Sequence, residues 1–241
     1  MQGYDAPPIN APRVKLAVKA AMSTAPPVSQ KSPITIDILA GFLELLKVDP
    51  LRSLWAAVFT TAFFGALRGG EYAIQFISGI GWTVPLALSA VQIYHHKDLL
   101  VARLTIPKTK TSDQGRVVTL GCSKSPICAP CALLEFISTR SNAKSSDPLF
   151  AFPSGTPLTK NELNKKIQSL ASTLGIYKAC MSSHSFRSGA ATVASNVGFN
   201  EAELKHLGGW NSQAYQGYIR HNSTSHTFAA RMVHSSVGPL F

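Results

Sequence analysis

The sequence predicts an α+β fold, mainly α, in which a helical domain is interrupted by one small antiparallel β-sheet. Three observations carry this. Apolar residues recur at helical spacing over most of the chain. Only residues 90–120 switch to short runs of β-branched and aromatic residues divided by turn signals. Helix-start patterns recur downstream, Thr159 with Glu162 and Asn200 with Glu203.

Taken in order, residues 1–33 hold six of the 15 prolines and no sustained apolar periodicity beyond "VKLAVKAAM". They read as a linker or the remnant of an N-terminal domain, with the folded domain spanning 34–241. "TIDILAGFLELLK" starts on a good N-cap, Thr35, and sets Ile38, Leu39, Phe42, Leu45 and Leu46 on one helical face. Asp49-Pro50 breaks it, and a core helix, Leu51–Leu67, follows. "GALRGGEY" ends that helix with the Gly69–Gly70 pair, which leaves Arg68 and Glu71 beside a turn.

The stretch Ala90–Leu120 is read as a small antiparallel sheet with turns at "HHKD" and "TSDQG", its hairpin tip carrying Lys108 and Lys110. "APCALLEFISTR" predicts a helix, and "TKNELNKKIQSLASTLG" another, running from its capping box to Gly175. "SFRSGAATVASNVG" and "NEAELKHLGG" predict two more. "GGWNSQAYQGYIRH" closes the pattern with a short helix on which Tyr215 and Tyr218 share a side. The chain shows no internal repeat and no low-complexity tract.

Composition narrows the function classes. Hydrophobic residues make up 45% of the chain, enough for a sizeable core and against wholesale disorder. A formal net charge of +11 marks a binder of polyanions, because neutralising phosphates releases counterions. The most apolar run, Leu54–Leu67, is 14 residues long, too short to span a bilayer, so no membrane association is expected. The N-terminus lacks the features of a signal peptide. Four cysteines do not make a disulfide framework in a chain of this length. Cys128-x-x-Cys131, with Cys122 upstream, lacks a second cysteine or histidine pair at the usual spacing, so no metal and no cofactor is expected.

Several polar residues stand where the pattern demands core or turn. Arg68 directly follows "FFGAL", and a charge ending such a run must find a partner. His184 and Arg187, three apart at a helix start, project from one end of it. Two arginines converging with a helix N-terminus suit a phosphate or phosphorane-like group. Lys110 on its hairpin could reach such a site as a proton donor, with Lys108 as its competitor. A nearby tyrosine would supply a nucleophile.

"ALRGGEY", "PKTKT", "HSFR", "LGGW" and "YIR" together resemble the catalytic domain of the tyrosine (phage-integrase-type) recombinases, in the order Arg, Lys, His-x-x-Arg, Trp, Tyr. "W-x-S-x-A-Y-x-x-Y-I-R" is further similar to the recombinases of DIRS-type and Crypton transposons. The resemblance covers roughly residues 33–230. It implies that Arg68 and Arg187 hold the scissile phosphate, that Lys110 protonates the leaving 5′ oxygen, and that His184 takes part in proton transfer. Trp210 would donate its indole N–H toward the phosphate. Tyr218 would attack the phosphorus to give a 3′-phosphotyrosine, with Tyr215 as a packing residue. Glu71 would buttress the site, and Lys108 and Arg220 would contact DNA.

On this reading the chain cuts and rejoins double-stranded DNA without metal or ATP, as a dimer or tetramer on DNA, in the nucleus. The alternative is a catalytically silent, DNA-binding remnant of a transposon recombinase. Relatives usually carry an N-terminal helical domain that clamps DNA from the other side, and only some 30 residues precede the catalytic region here. Seven residues separate Trp210 from Tyr218, one fewer than in relatives with tryptophan at that position. The stretch "SHTFAARMVHSS" reads as a short helix that docks on a neighbouring subunit.

Overall fold

The computed structural model describes residues 31–79, 81–83, 86–107 and 115–220, together with Pro12 and Leu16. Internal contacts separate residues 1–30 from 31–241, and every element below belongs to the second unit. The hairpin tip with Lys108 and Lys110 and the stretch "SHTFAARMVHSS" lie outside the described residues, as does nearly all of the segment read as a linker.

Helix α1 (Ile36–Leu45) begins where expected, with the Thr35 hydroxyl accepting the Ile38 N–H at 3.3 Å. It buries Leu39 and Phe42 and tightens into a 3₁₀ turn at Leu46–Val48. Asp49 then accepts the Leu51 N–H at 2.8 Å and turns the chain into α2 (Arg52–Phe64). Nine consecutive or near-consecutive residues of α2, Leu54 to Phe63, are buried, so it is the central helix of the core. Both of its threonines are buried: Thr60 donates its hydroxyl to the Ala56 carbonyl at 2.7 Å, whereas the Thr61 hydroxyl has no hydrogen-bond partner among the described residues. Phe59 stacks between α1 and the later helix α6 (His184–Asn196), 5.8 Å from Phe42 and 5.1 Å from Phe186. Each fully buried ring contributes about 1.5–3 kcal/mol to the folded state.

Helix α2 stops at Phe64, three residues short of the expected end, and Ala66 takes a left-handed φ of 44°. The Gly69–Gly70 pair does not terminate α2. It opens a separate four-residue helix, α3 (Gly69–Tyr72), with Arg68 as its N-cap. A two-stranded ribbon not foreseen from the sequence follows, β1 (Phe76–Ile77) with β2 (Gly81–Trp82), its exposed Phe76 and Trp82 rings 5.7 Å apart.

The expected sheet is present as antiparallel β3 (Val91–His96), β4 (Leu99–Ile106) and β5 (Arg116–Gly121), in that order. The first turn is narrower than "HHKD" suggested. Lys97 and Asp98 alone carry it, with φ of 44° and 63°, while His95 and His96 pair in the ladder with Leu100 and Leu99. Two consecutive positive φ values match the right-handed strand twist of a two-residue hairpin. Ala102, Leu104, Ile106, Val118 and Leu120 are buried on the sheet's inner face, and α4 (Ala129–Ser138) packs over it.

Helix α5 (Lys160–Thr173) starts on the reciprocal Thr159–Glu162 capping box, and α7 (Glu201–Gly208) on that of Asn200 and Glu203. Between them, Ser32 and Ile34 donate backbone N–H groups to Cys180 at 2.8 Å and Ser185 at 3.0 Å, so the chain entering α1 lies against the start of α6. The last described element is a 3₁₀ helix, Gln213–Tyr218, where a short α-helix was expected. Six residues recover few i→i−4 bonds for the cost of nucleation, and Ser212 instead caps the tighter turn through Ala214 N–H at 3.3 Å. Among the described residues no helix is long and apolar enough to cross a membrane.

Candidate active site

The site is built from four stretches far apart in sequence. The first is the corner after α2. Glu71, whose side chain is 3% exposed, accepts the Arg68 backbone N–H at 2.9 Å and pairs with its guanidinium at 3.0 Å. The second stretch brings Arg116, the first residue of β5, whose Nη2 reaches the other Glu71 oxygen at 3.1 Å and the Gly65 carbonyl at 3.3 Å. Its Nη1 donates to the Leu207 carbonyl at 3.2 Å, so one side chain ties the α2 corner to the end of α7.

Arg187, one turn into α6, is fully buried. Its guanidinium donates to the carbonyls of Ala66 and, at 2.9 Å, Gly208. Its charge lies 4.1 Å from the centre of the Trp210 ring and 5.1 Å from that of Tyr218. Burial first, then the like charge of Arg68, lowers its pKa to about 10, so it stays protonated at neutral pH. Two guanidinium groups thus meet one carboxylate, and Arg187 lies close enough to feel the charges of all three. Arg187 Nε, Arg116 Nε and Trp210 Nε1 are buried donors with no hydrogen-bond partner among the described residues. Buried donors without partners are costly unless a ligand supplies acceptors.

The "LGGW" turn places Trp210. Gly209 adopts φ 64°, the left-handed cap that ends α7. A side chain at Gly208 would sit 2.1 Å from the Trp210 ring, so that glycine lets the indole fold back onto Arg187.

His184 is the first residue of α6 and keeps an exposed edge, while its ring packs 5.0 Å from that of Tyr218. Partial burial, followed by the charges of Arg187, Lys160 and Arg220, holds its pKa below the ordinary 6.5 and favours the neutral imidazole at pH 7. Tyr218 is half-buried, with its ring 5.2 Å from Trp210. Thr192 holds its backbone, donating to the Tyr218 carbonyl at 3.4 Å and accepting the Arg220 N–H at 3.0 Å. Tyr215 is buried and packs on Trp210 at 6.4 Å, with no ring contact to His184. With three residues per 3₁₀ turn the two tyrosines eclipse, so both meet Trp210 and only the second reaches His184 and Arg187. Arg220 folds back onto the Gly217 and Ile219 carbonyls at 2.7 and 3.2 Å.

Arg68, Glu71, His184, Arg187, Trp210 and Tyr218 are therefore brought together, while Lys108 and Lys110 lie outside the described residues. Two cations were missed. Arg116 shares the inward face of β5 with Val118 and Leu120, an alternation that was legible in the sequence. Lys160 adds charge beside His184 and bonds Gln75 at 3.2 Å, and nothing in its local pattern singled it out. A cleft of about 470 Å³ lined by Pro50, Leu54, Arg140 and Phe152 shares no residue with this site. Chemically, the arrangement can hold an anion with charge spread over several oxygens, beside a tyrosine hydroxyl and a neutral imidazole.

The phage integrase family matches residues 92–226. No curated protein matches the chain. Among solved structures, XerA recombinase aligns with a TM-score of 0.61 at 17% identity, over 95% of this chain and 74% of that one. The XerH site-specific recombinase bound to palindromic difH substrate aligns at 0.60 and 16%, over 85% of this chain. The chain spans 54% of that XerH chain. The Tn1549 transposon integrase in complex with transposon right end DNA aligns at 0.57 and 16%, over 92% of this chain and 78% of its own. At these identities the structural likeness is one of fold.

Proposed function

The chain belongs to the phage integrase family, and from that premise we propose that it breaks and rejoins double-stranded DNA through a covalent tyrosine intermediate. One observation carries the reading. A fully buried guanidinium, Arg187, lies against the rings of Trp210 and Tyr218, and the His184 ring packs against Tyr218 as well.

In the proposed reaction Arg68 and Arg187 bind the non-bridging oxygens of the scissile phosphate, and Glu71 and Arg116 hold the Arg68 corner in place. The Tyr218 oxygen attacks phosphorus and gives up its proton, with neutral His184 positioned to take part in that transfer. The P–O5′ bond breaks, and the leaving oxygen takes a proton from Lys110, a role that rests on the family resemblance alone. The phosphotyrosine conserves the bond energy, so a 5′ hydroxyl can reverse the step without ATP. Guanidinium groups carry the developing charge, so cleavage is expected to proceed without added magnesium. Assembly as a dimer or tetramer on DNA belongs to the same proposal.

The test is a nicked suicide substrate resolved on denaturing gels. Wild type and Tyr215→Phe form a covalent protein–DNA adduct, and Tyr218→Phe binds the DNA without forming one. Retarded DNA with no adduct from any variant would overturn the enzymatic reading in favour of a binding protein.

A further inference from the structure

The spacing of Cys122, Cys128 and Cys131 argues against a metal site, yet the fold gathers them. Their sulfurs all lie within 4.8 Å of one another, and Cys180 is not part of the group. Cys122 leaves the end of β5, Cys128 is the N-cap of α4, and Cys131 lies in its first turn. The Cys122 sulfur is 3.5 Å from that of Cys128 and 3.7 Å from that of Cys131, and the last two are 2.8 Å apart. Three thiolates on a tetrahedral zinc ion at about 2.3 Å would lie about 3.8 Å apart. Two of the three separations already fit, and the third needs to open by about 1 Å on that geometry.

The surroundings are built for sulfur. Lys124, in a left-handed turn at φ 52°, donates its N–H to the Cys122 sulfur at 3.4 Å. Ser123 ties the loop through the Ser125 hydroxyl at 2.9 Å and the Ile127 carbonyl at 3.1 Å, so the three ligands are held by a self-bonded loop and a helix start. A disulfide would use two of these sulfurs and leave the third unpaired beside it. A single soft cation uses all three.

We propose that Cys122, Cys128 and Cys131 form a three-thiolate zinc site, with the fourth position left to water or a small ligand on the side of exposed Cys131. Its role is structural. Arg116 and Cys122 lie six positions apart along β5 and its exit, about 20 Å at about 3.3 Å per residue, so the ion stands well away from the phosphate site. It clamps the far end of β5, where Cys122 also donates its N–H to Leu100 at 2.8 Å, to the helix that covers the sheet.

The expected result is one zinc ion per chain by elemental analysis of reduced protein, and thiolate-to-metal charge-transfer absorption when cobalt replaces it. Cys122→Ser, Cys128→Ser and Cys131→Ser each lose the ion, whereas Cys180→Ser keeps it. Should a serine variant not fold, alkylation of wild type decides: zinc protects three cysteines and leaves Cys180 to react. Reduced wild type that takes up neither zinc nor cobalt overturns the proposal. So does loss of metal from Cys180→Ser, or recovery of a Cys128–Cys131 disulfide from zinc-replete protein.

Discussion

The Glu71 carboxylate receives Arg68 on one oxygen and Arg116 on the other, with its own side chain almost wholly out of water. Removing it leaves two cations facing each other and facing Arg187. Breaking a buried pair costs about 3–5 kcal/mol, and because Arg68 stays about a third exposed, solvent takes up part of its charge and the lower end applies. Glu71→Ala is expected to lower the urea midpoint accordingly, with the change in slope small. Arg187→Lys tests the neighbouring charge. It keeps the positive charge but loses the fork that spans the Ala66 and Gly208 carbonyls, so adduct formation in single-turnover assays should fall by about 10²–10³-fold. His184 has a pH signature of definite sign. Its folded pKa is depressed, so between that value and 6.5 the unfolded chain binds more protons, and stability falls as pH drops through this window. Above 6.5 the contribution is fully present. The imidazole should titrate below 6.5 by NMR in the free protein and shift upward when a phosphate occupies the site. A midpoint at or above 6.5 in the free protein would contradict the packing against Tyr218 and the three cations.

At the scale of elements, the end of α7 and the 3₁₀ helix after it act as one bracket that holds Trp210 between Arg187 and the two tyrosines. Gly208→Ala tests the bracket, because a methyl group 2.1 Å from the indole must displace the ring. A loss of about 1–3 kcal/mol by thermal or urea unfolding is expected, with weaker adduct formation at temperatures where the variant remains folded. The helix starts, including Thr35, Thr159 and Asn200, were legible because capping is local chemistry that short-range pattern records. The inward charge at Arg116 was legible in principle from strand alternation but was masked by its place beside a turn. The 3₁₀ form of Gln213–Tyr218 was not, since the difference from an α-turn depends on what Ser212, Thr192 and Trp210 offer the segment. That form also bears on the short Trp210–Tyr218 spacing. A 3₁₀ helix rises about 2.0 Å per residue against about 1.5 Å in an α-helix, so six residues reach about 3 Å further. The cysteine cluster was illegible for a different reason: Cys122 joins the CxxC pair only through the sheet-to-helix packing.

Across the whole molecule, the site exists only when segments some 150 residues apart dock on one core, from Arg68 to Tyr218. Phe59 and Phe186 pack α2 against α6, and the Arg187 guanidinium on α6 donates to the Ala66 carbonyl in the corner that follows α2. Loss of the core therefore removes the site with it. The net charge of +11 acts at longer range than any of these contacts, and on the proposed function it would draw the chain to a phosphate backbone before the site engages. Affinity for duplex DNA should then fall linearly on a log–log plot against salt, with a slope of about −0.9 for each phosphate neutralised. Lys160, which adds charge beside His184 without belonging to the proposed reaction, offers a way to count one such contact. Lys160→Ala should make the slope shallower by about 0.9 and weaken binding alike on unrelated sequences. Tyr218→Phe should leave the slope unchanged. Fluorescence anisotropy with a labelled duplex over a salt series reads both. An unchanged slope for Lys160→Ala would move that lysine off the DNA path, and a flat slope for wild type would leave the charge without a polyanionic partner.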